Sequence, residues 1–310
     1  MLDFFQESDI RAALKYPQLV SSLQKGFADP GFTPDRTISH YNGMTLLTKP
    51  SFDSDYGGIK LITVNPRNVG KSIAPIQGVY YLFDGETGAP RAVFDAKALT
   101  NMRTAAASVL AANYLALENS ESLLVVGTGH LSADVVTAYC SSFQIKKVRV
   151  YGRSLEKAKK VVASLGHVAA DIQAVSVLPE AAQDADIISC VTSSTTPLIH
   201  GEWLREGQHL DLAGAFTPEM RETDTDAIRK CNVYVDNRST AFTSGDLYIP
   251  LKESMFSERD IVGDLFELSS KTVAGRRRDD QITIFKSVGH ALEDLIAAKM
   301  VYRYFKKSIE

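Results

Sequence analysis

The chain reads as an α/β protein, a doubly wound parallel sheet inserted into a discontinuous α+β domain. Three observations predict this. From Leu123 onward, short apolar runs (LLVVG, KVRVYG, IISCVT, HLDLAG, NVYVD) alternate with helical stretches, the pattern of strands covered on both faces. Residues 40–95 instead hold short alternating segments, which suits a mixed or antiparallel sheet. Finally, helical periodicity returns from Ala291 to Phe305, through Leu292, Leu295, Ile296, Met300, Val301 and Phe305. That tail is expected to cross back onto the first domain, giving boundaries of 1–116 plus 291–310 for one domain and 117–290 for the inserted one.

Composition narrows the function classes. The 37 acidic residues nearly balance the 34 basic ones, for a net charge of −3, so nothing favours a nucleic-acid partner, which selects a basic face. Apolar runs last only a few residues, far short of a membrane span. The opening MLDFFQESDI lacks the basic-then-apolar order of a signal peptide. A cytoplasmic protein is expected, and its widely spaced, odd-numbered cysteines (Cys140, Cys190, Cys231) suit reduced thiols. No C-x-x-C and no Cys/His cluster has zinc-ligand spacing, so no metal is expected.

The elements follow in order. The first ~25 residues read as helical, with Ile10, Leu14 and Leu19 on one apolar face and a second turn through Leu23 and Phe27. Residues 29–36 are a loop rich in Asp, Pro and Gly. Strands are expected at Met44–Leu47, Gly58–Val64, Gly78–Phe83 and Arg91–Phe94, with Asp84-Gly85-Glu86-Thr87-Gly88 turning the last pair into a hairpin. A long Ala-rich helix runs from Leu99 to Leu117, with Thr100 and Asn101 as candidate caps and small residues that permit close packing.

The segment LLVVGTGHLSA (Leu123 to Ala133) is the most informative. An apolar strand enters Gly127-Thr128-Gly129, and a helix is expected from near His130 and Leu131. Gly127 permits a tight turn, and Gly129 lets backbone approach a pyrophosphate. The helix N-terminus offers free N–H groups, and Ser132 takes the third small position. The strand before and helix after this G-x-G make it the fingerprint of a Rossmann dinucleotide-binding domain. The next strand, KVRVYG, ends in Gly152-Arg153-Ser154 where an acid that reads a free ribose 2′-hydroxyl would belong. Arg153 and Ser154 supply donors to a 2′-phosphate, which favours NADPH, with NADH possible. Otherwise, Arg153 is a solvated residue at a helix start.

Taken together, three segments resemble the ornithine cyclodeaminase/mu-crystallin family. They are DGETGAPRAVFDAKALTNMRTAAASVLAAN (Asp84 to Asn113), VVGTGHLSA, and TIFKSVGHALEDLIAAKMVY (Thr283 to Tyr302). T-x-x-R-T-A-A, G-x-G and F-K-S-V-G in that order make the resemblance specific, and it extends over nearly the whole chain. It implies a Rossmann domain plus a discontinuous substrate-binding and dimerisation domain, hence a homodimer. It also implies that Arg36, Lys60 and Arg103 grip a substrate carboxylate, that Thr104 lies near the nicotinamide, and that Lys286-Ser287-Val288-Gly289 closes over it, with Ser287 and Gly289 as cofactor contacts. On its own residues, that last segment also fits a tight turn before the final helix. Lys60 is the candidate catalytic residue, as donor of the imine proton; alternatively, the imine binds already protonated.

One departure from the family pattern decides the expected chemistry. Cyclodeaminases and alanine dehydrogenase carry an Asp base after the fourth Rossmann strand, in a pattern like G-G-D-x-P. Here Leu212-Ala213-Gly214-Ala215-Phe216-Thr217-Pro218 puts Phe216 at that position, and a phenyl ring moves no proton. The wording A-G-A-F-T-P-x-M-R-E is similar to that of ketimine reductases. The expected reaction is therefore NAD(P)H-dependent reduction of a cyclic imino acid to L-proline or L-pipecolate, with Phe216 as an apolar wall for the ring. The alternatives are a cyclodeaminase or amino-acid dehydrogenase with a relocated base, and a non-catalytic NADPH-dependent binding protein of mu-crystallin type. His209 and Asp211 alternate on one strand face, as a structural feature or as a functional pair. Arg153→Ala should raise KM for NADPH about 10- to 100-fold, the worth of one charge-assisted contact, and leave KM for NADH nearly unchanged. Steady-state kinetics with both cofactors checks this, and equal effects on the two would refute the assignment.

Overall fold

The structure, a computed structural model, describes residues 2–68 and 70–306. In chain order, β1 (Asp3–Phe5), α1 (Glu7–Ala13), α2 (Tyr16–Ala28), β2 (Thr37–Tyr41), β3 (Met44–Phe52), β4 (Tyr56–Val64), β5 (Ile76–Asp84) and β6 (Pro90–Asp95) lead into α3 (Ala96–Leu115). Then come β7 (Ser122–Val126), α4 (Ser132–Ser142), β8 (Lys147–Tyr151), α5 (Leu155–Ala163), β9 (Asp171–Val175), α6 (Leu178–Asp184), β10 (Ile187–Cys190) and β11 (His209–Leu212). The chain continues through α7 (Thr225–Lys230), β12 (Asn232–Val235), α8 (Gly245–Lys252), β13 (Ile261–Asp264), α9 (Leu265–Ser269) and β14 (Thr283–Lys286) to α10 (Ala291–Lys306). Two compact units result. One holds the residues up to Thr104 together with those from His290, and the other holds Ala105–Gly289. The division falls inside α3 rather than after it at 116/117.

The first unit is built on a six-stranded mixed sheet of order β1-β6-β5-β4-β3-β2, in which only β1 and β6 run parallel. Its Asp84 hairpin closes as the sequence suggests: the Asp84 carboxylate accepts from the Glu86 and Thr87 N–H groups, and Gly88 takes the positive φ of 70° the turn needs. Two strands escape the sequence reading. β1 is very short, and β2 is exposed at all five residues, so neither shows one buried face. The expected first helix is two, α1 and α2, and Leu14 between them stays buried with Ile10, Leu19, Leu23 and Phe27. The tail helix α10 packs across β3, β4 and β5 and against α1 and α2.

Helix α3 is buried without interruption from Asn101 to Ala112, which its alanines allow by keeping the cylinder thin. Thr100 and Asn101 are not its caps. The helix starts at Ala96, and the Asp95 carboxylate accepts from the Ala98 N–H at 2.9 Å, the usual service of an acid at a helix start.

The second unit carries an eight-stranded, wholly parallel sheet of order β13-β12-β14-β11-β10-β7-β8-β9. The strand order reverses at β7/β10, and the carboxyl ends of strands at such a switch point are where sheets of this kind bind ligands. Leu124, Val126, Ile188, Cys190, Leu210, Leu212, Val233, Val235 and Ile284 form its core, which is why these strands read as apolar runs. The strands missed from sequence are β9, a half-exposed edge (DIQAV), and the short β13 and β14. No helix among the described residues is long and apolar enough to cross a membrane, and no group of three or more His, Cys, Asp or Glu among them is placed to hold a metal ion.

Candidate active site

In the first unit, Lys60 lies on β4, directly opposite Lys49 on β3 and Tyr80 on β5. It is 1% exposed. Its Nζ donates to Asp294 Oδ1 at 3.0 Å and to Thr100 Oγ1 at 3.3 Å, with Asp294 Oδ2 at 2.8 Å. Arg103 sits one turn beyond Thr100 on α3 and is also buried. Its Nε donates to the same Asp294 Oδ1 at 3.0 Å, and its Nη1 donates to Glu293 Oε2 at 2.5 Å. The Nη2 fork takes part in neither contact. One carboxylate oxygen on α10 thus joins a strand cation to a helix cation.

The protonation states follow from burial against charge. Burial pushes Lys60 down to about 7; Asp294 opposes this, while Arg103 and Lys49 add to it. Burial also works against the Arg103 guanidinium, but Asp294 and Glu293 outweigh it and hold Arg103 firmly charged. For Asp294, burial favours the neutral acid, yet Lys60 and Arg103 overcome it and keep the carboxylate below its ordinary range.

Arg36, the third expected cation, is half-buried in the loop ahead of β2 and is held by no ion pair among the described residues. Thr104 is buried beside Arg103. Sequence reasoning missed Glu293 and Asp294, although a signal existed. Ala291–Ala298 is buried throughout, and two acids inside such a stretch demand cationic partners.

In the second unit, Gly127 ends β7 with φ of 138°, and a Cβ there would come within 2.9 Å of the Val191 carbonyl oxygen. Its N–H donates to the Tyr151 carbonyl at 2.9 Å, and a Cβ on Gly152 would lie 2.5 Å from Thr128 Cγ2. The glycine loop is therefore packed on the end of β8, and Arg153 follows it, exposed. A Cβ on Gly129 would meet nothing within 4 Å, so that side of the loop is open. These residues fit a dinucleotide, whose pyrophosphate needs close backbone approach there. Helix α4 begins at Ser132, not at His130; His130 and Leu131 form the turn ahead of it, and the Ser132 hydroxyl donates to the Gly127 carbonyl at 3.0 Å. The Ser154 hydroxyl caps α5 by accepting from the Lys157 N–H at 3.4 Å.

A second buried network, also missed from sequence, holds the loops after β10 and β11. Glu222 Oε1 accepts from the Thr192 N–H (2.6 Å) and hydroxyl (2.9 Å), and Oε2 from the N–H groups of Gly214 (2.9 Å) and Ala215 (3.0 Å). Asp246 accepts from the Glu222 and Thr223 N–H groups and lies 3.1 Å from Lys286 Nζ. Lys286 donates to the carbonyls of Leu212 (3.0 Å) and Ala215 (2.7 Å). Burial pushes Glu222 up to about 7, with Lys286 opposing and Asp246 reinforcing. Phe216, next along this pinned loop, is 46% exposed.

The segment after β14 is a pinned turn as well. Asp236 Oδ2 accepts from the Ser287 hydroxyl (3.1 Å) and from the Val288 (2.7 Å) and Gly289 (2.6 Å) N–H groups. His209 and Asp211 do not pair. His209 Nδ1 bonds Thr283 Oγ1 at 2.9 Å, and Asp211 accepts from Ser108 (2.9 Å) and Ser189 (2.6 Å). Burial, with Arg276 nearby, pushes His209 down to about 3, and burial pushes Asp211 up to about 6.

The family model described as the ornithine cyclodeaminase/mu-crystallin family matches residues 9–308. The chain belongs to this family. A Δ1-pyrroline-2-carboxylate reductase of Paracoccus denitrificans is 33% identical, over 97% of this chain and 96% of that protein. Among solved structures, a Thermococcus litoralis Δ1-pyrroline-2-carboxylate reductase in complex with NADH and L-proline superposes with a TM-score of 0.93 at 31% identity, covering 99% of this chain and 98% of that one. An archaeal alanine dehydrogenase dimer with bound NAD also gives 0.93, at 26% identity, covering 100% and 97%. The α/β, Rossmann-type fold is that of its family.

Lys286→Met should lower unfolding stability by about 3–5 kcal/mol, because it strands the buried Asp246 and two carbonyls. Urea unfolding followed by circular dichroism measures this. A midpoint indistinguishable from wild type would show that Lys286 does not pin the β11 loop.

Proposed function

We propose that this protein is an NAD(P)H-dependent oxidoreductase that reduces the C=N bond of cyclic ketimines. Its substrates are Δ1-pyrroline-2-carboxylate and Δ1-piperideine-2-carboxylate, which become L-proline and L-pipecolate. The observation that carries this reading is the loop after β11, which presents Phe216 where the family pattern puts its Asp base. The nearby buried acids are already committed: Glu222 to three N–H groups and one hydroxyl, Asp211 to two serines. A cyclodeaminase needs a base for its amine, and imine reduction does not. A binding protein for apolar ligands has no use for two buried cations.

The nicotinamide supplies the hydride when bound. The chain's own residues do the rest. Arg103, Lys60 and Arg36 hold the substrate carboxylate and so orient C2. Lys60 exists as ammonium and amine in comparable amounts near neutrality, which suits delivery of a proton to the ring nitrogen. Phe216 offers an apolar surface to the ring. Gly127, Thr128, Gly129, His130 and Leu131 cradle the pyrophosphate, Arg153 and Ser154 favour NADPH over NADH, and Thr104, Ser287 and Gly289 line the nicotinamide end.

The first unit also supports a homodimer. Ile38 (47% exposed) and Tyr41 (78%) stand on the edge strand β2 and Leu46 (40%) on β3 beside it, and the other edge of β2 is unpaired.

Two measurements test these readings. NADPH oxidation should be fast with either cyclic imine, and L-ornithine with NAD⁺ should release little or no ammonia; Arg103→Ala should cut kcat/KM by about 100-fold or more while NADPH affinity holds. Ornithine turnover comparable to imine reduction would sink the assignment. Light scattering at micromolar concentration should give about twice the 33.9 kDa chain mass, and a stable monomer would rule out the dimer.

A further inference from the structure

We propose that Asp294 is a positioning residue for the substrate clamp: its Oδ1 fixes Lys60 and Arg103 relative to one another, and its carboxylate is the counter-ion of Lys60. This rests on the reading of both cations as carboxylate ligands.

The geometry is specific. Lys60 Nζ and Arg103 Nε converge on the same oxygen at 3.0 Å each, although Lys60 comes from β4, Arg103 from α3 and Asp294 from α10. Two cations would otherwise repel, and their long side chains would adopt separate rotamers. A shared acceptor removes that freedom before substrate arrives. Asp294 Oδ2 also lies 2.8 Å from Nζ, so Lys60 sits against both oxygens of this carboxylate.

Every element packed against Lys60 gives the same account of its charge. Strand β3 contributes Lys49, a like charge; β5 contributes Tyr80, whose phenol burial keeps protonated; α3 contributes Thr100, which is neutral, and Arg103, a like charge. Helix α10 contributes Asp294, and its Glu293 reaches Arg103 instead. Asp294 is therefore the carboxylate that offsets burial and two neighbouring positive charges at Nζ. Lys60 is raised by Asp294 against a net depression to about 7, so the clamp is charged below that pH and loses a cation as pH rises through it. Without the carboxylate, the loss moves to lower pH.

The test is calorimetric binding of L-proline to the NADP⁺-loaded protein from about pH 5.5 to about 8.5, where proline itself does not titrate. Wild type should weaken above about pH 7. Asp294→Asn should bind proline about tenfold or more weakly at pH 7.5, and its decline should begin about one pH unit lower or more. Glu293→Gln, an equally buried change on the same helix, should weaken binding without moving the pH of decline. A general structural defect would move both alike, and that result overturns the proposal. So does an Asp294→Asn protein with wild-type affinity and pH of decline, provided Lys60→Ala has lost binding. If Lys60→Ala binds proline normally, the clamp reading itself fails. NADPH fluorescence confirms folding. Should Asp294→Asn not fold, Asp294→Glu decides: a pH of decline within about half a unit of wild type supports retention of charge, and one displaced by a full unit or more overturns it.

Discussion

Asp294 Oδ1 joins two cations whose sequence positions lie 191 and 234 residues from it, and the first unit is organised so that this contact can exist. Strand β4 must be central for Lys60 to be buried, α3 must begin where Arg103 faces inward, and the chain must return through α10 to bring the acid. The four charged groups Lys60, Arg103, Glu293 and Asp294 are at most 5% exposed. Removing such charges from water costs about as much as their attraction returns, and apolar side chains of equal volume would stabilise the unit as well or better. Stability alone therefore does not account for their presence, which agrees with the clamp proposed for Lys60 and Arg103. The depressed Lys60 fits that account, since burial with a single shared counter-ion brings an ammonium close to neutrality.

The second unit uses buried acids for a different purpose. A parallel sheet leaves irregular loops at the carboxyl ends of its strands, where backbone N–H groups have no ladder partner. Glu222 supplies acceptors to the loops after β10 and β11, and Asp236 does so for the turn after β14. Lys286 joins them by donating to the carbonyls of Leu212 and Ala215 while balancing Asp246. Gly214 belongs to the same construction: a Cβ there would lie 2.1 Å from the Thr192 nitrogen and 2.4 Å from Glu222 Oε1. The loop bearing Phe216 is thus held from both sides.

On the proposed reading, these two arrangements separate reduction from deamination. The clamp and the nicotinamide site serve both, and deamination would add a proton acceptor at the β11 loop, where this chain has Phe216. The buried acids Glu222 and Asp211 could take that role only by breaking the hydrogen bonds they make.

Much of this was legible in sequence because it depends on local patterns. Alternating apolar strands and helices predicted the inserted parallel sheet, and Gly127-Thr128-Gly129 after a strand predicted the tight turn that leads to α4. Helical spacing in 291–305 predicted the returning tail. Arg103 could be singled out by its place in T-x-x-R-T-A-A, the motif that carries the family resemblance. What failed were elements without a buried face, β1, β2 and β9, and helix starts displaced by a few residues, where capping depends on neighbours such as Asp95. The partners of the buried charges were also beyond reach. Glu293, Asp294, Glu222, Asp246 and Asp236 look in sequence like ordinary acids, and only tertiary packing buries them and pairs them with groups far away in the chain. Local sequence determines periodicity and turn chemistry, which act over a few residues. The pairing of charges across hundreds of residues is decided by which surfaces exclude water, and that exists only in the folded chain.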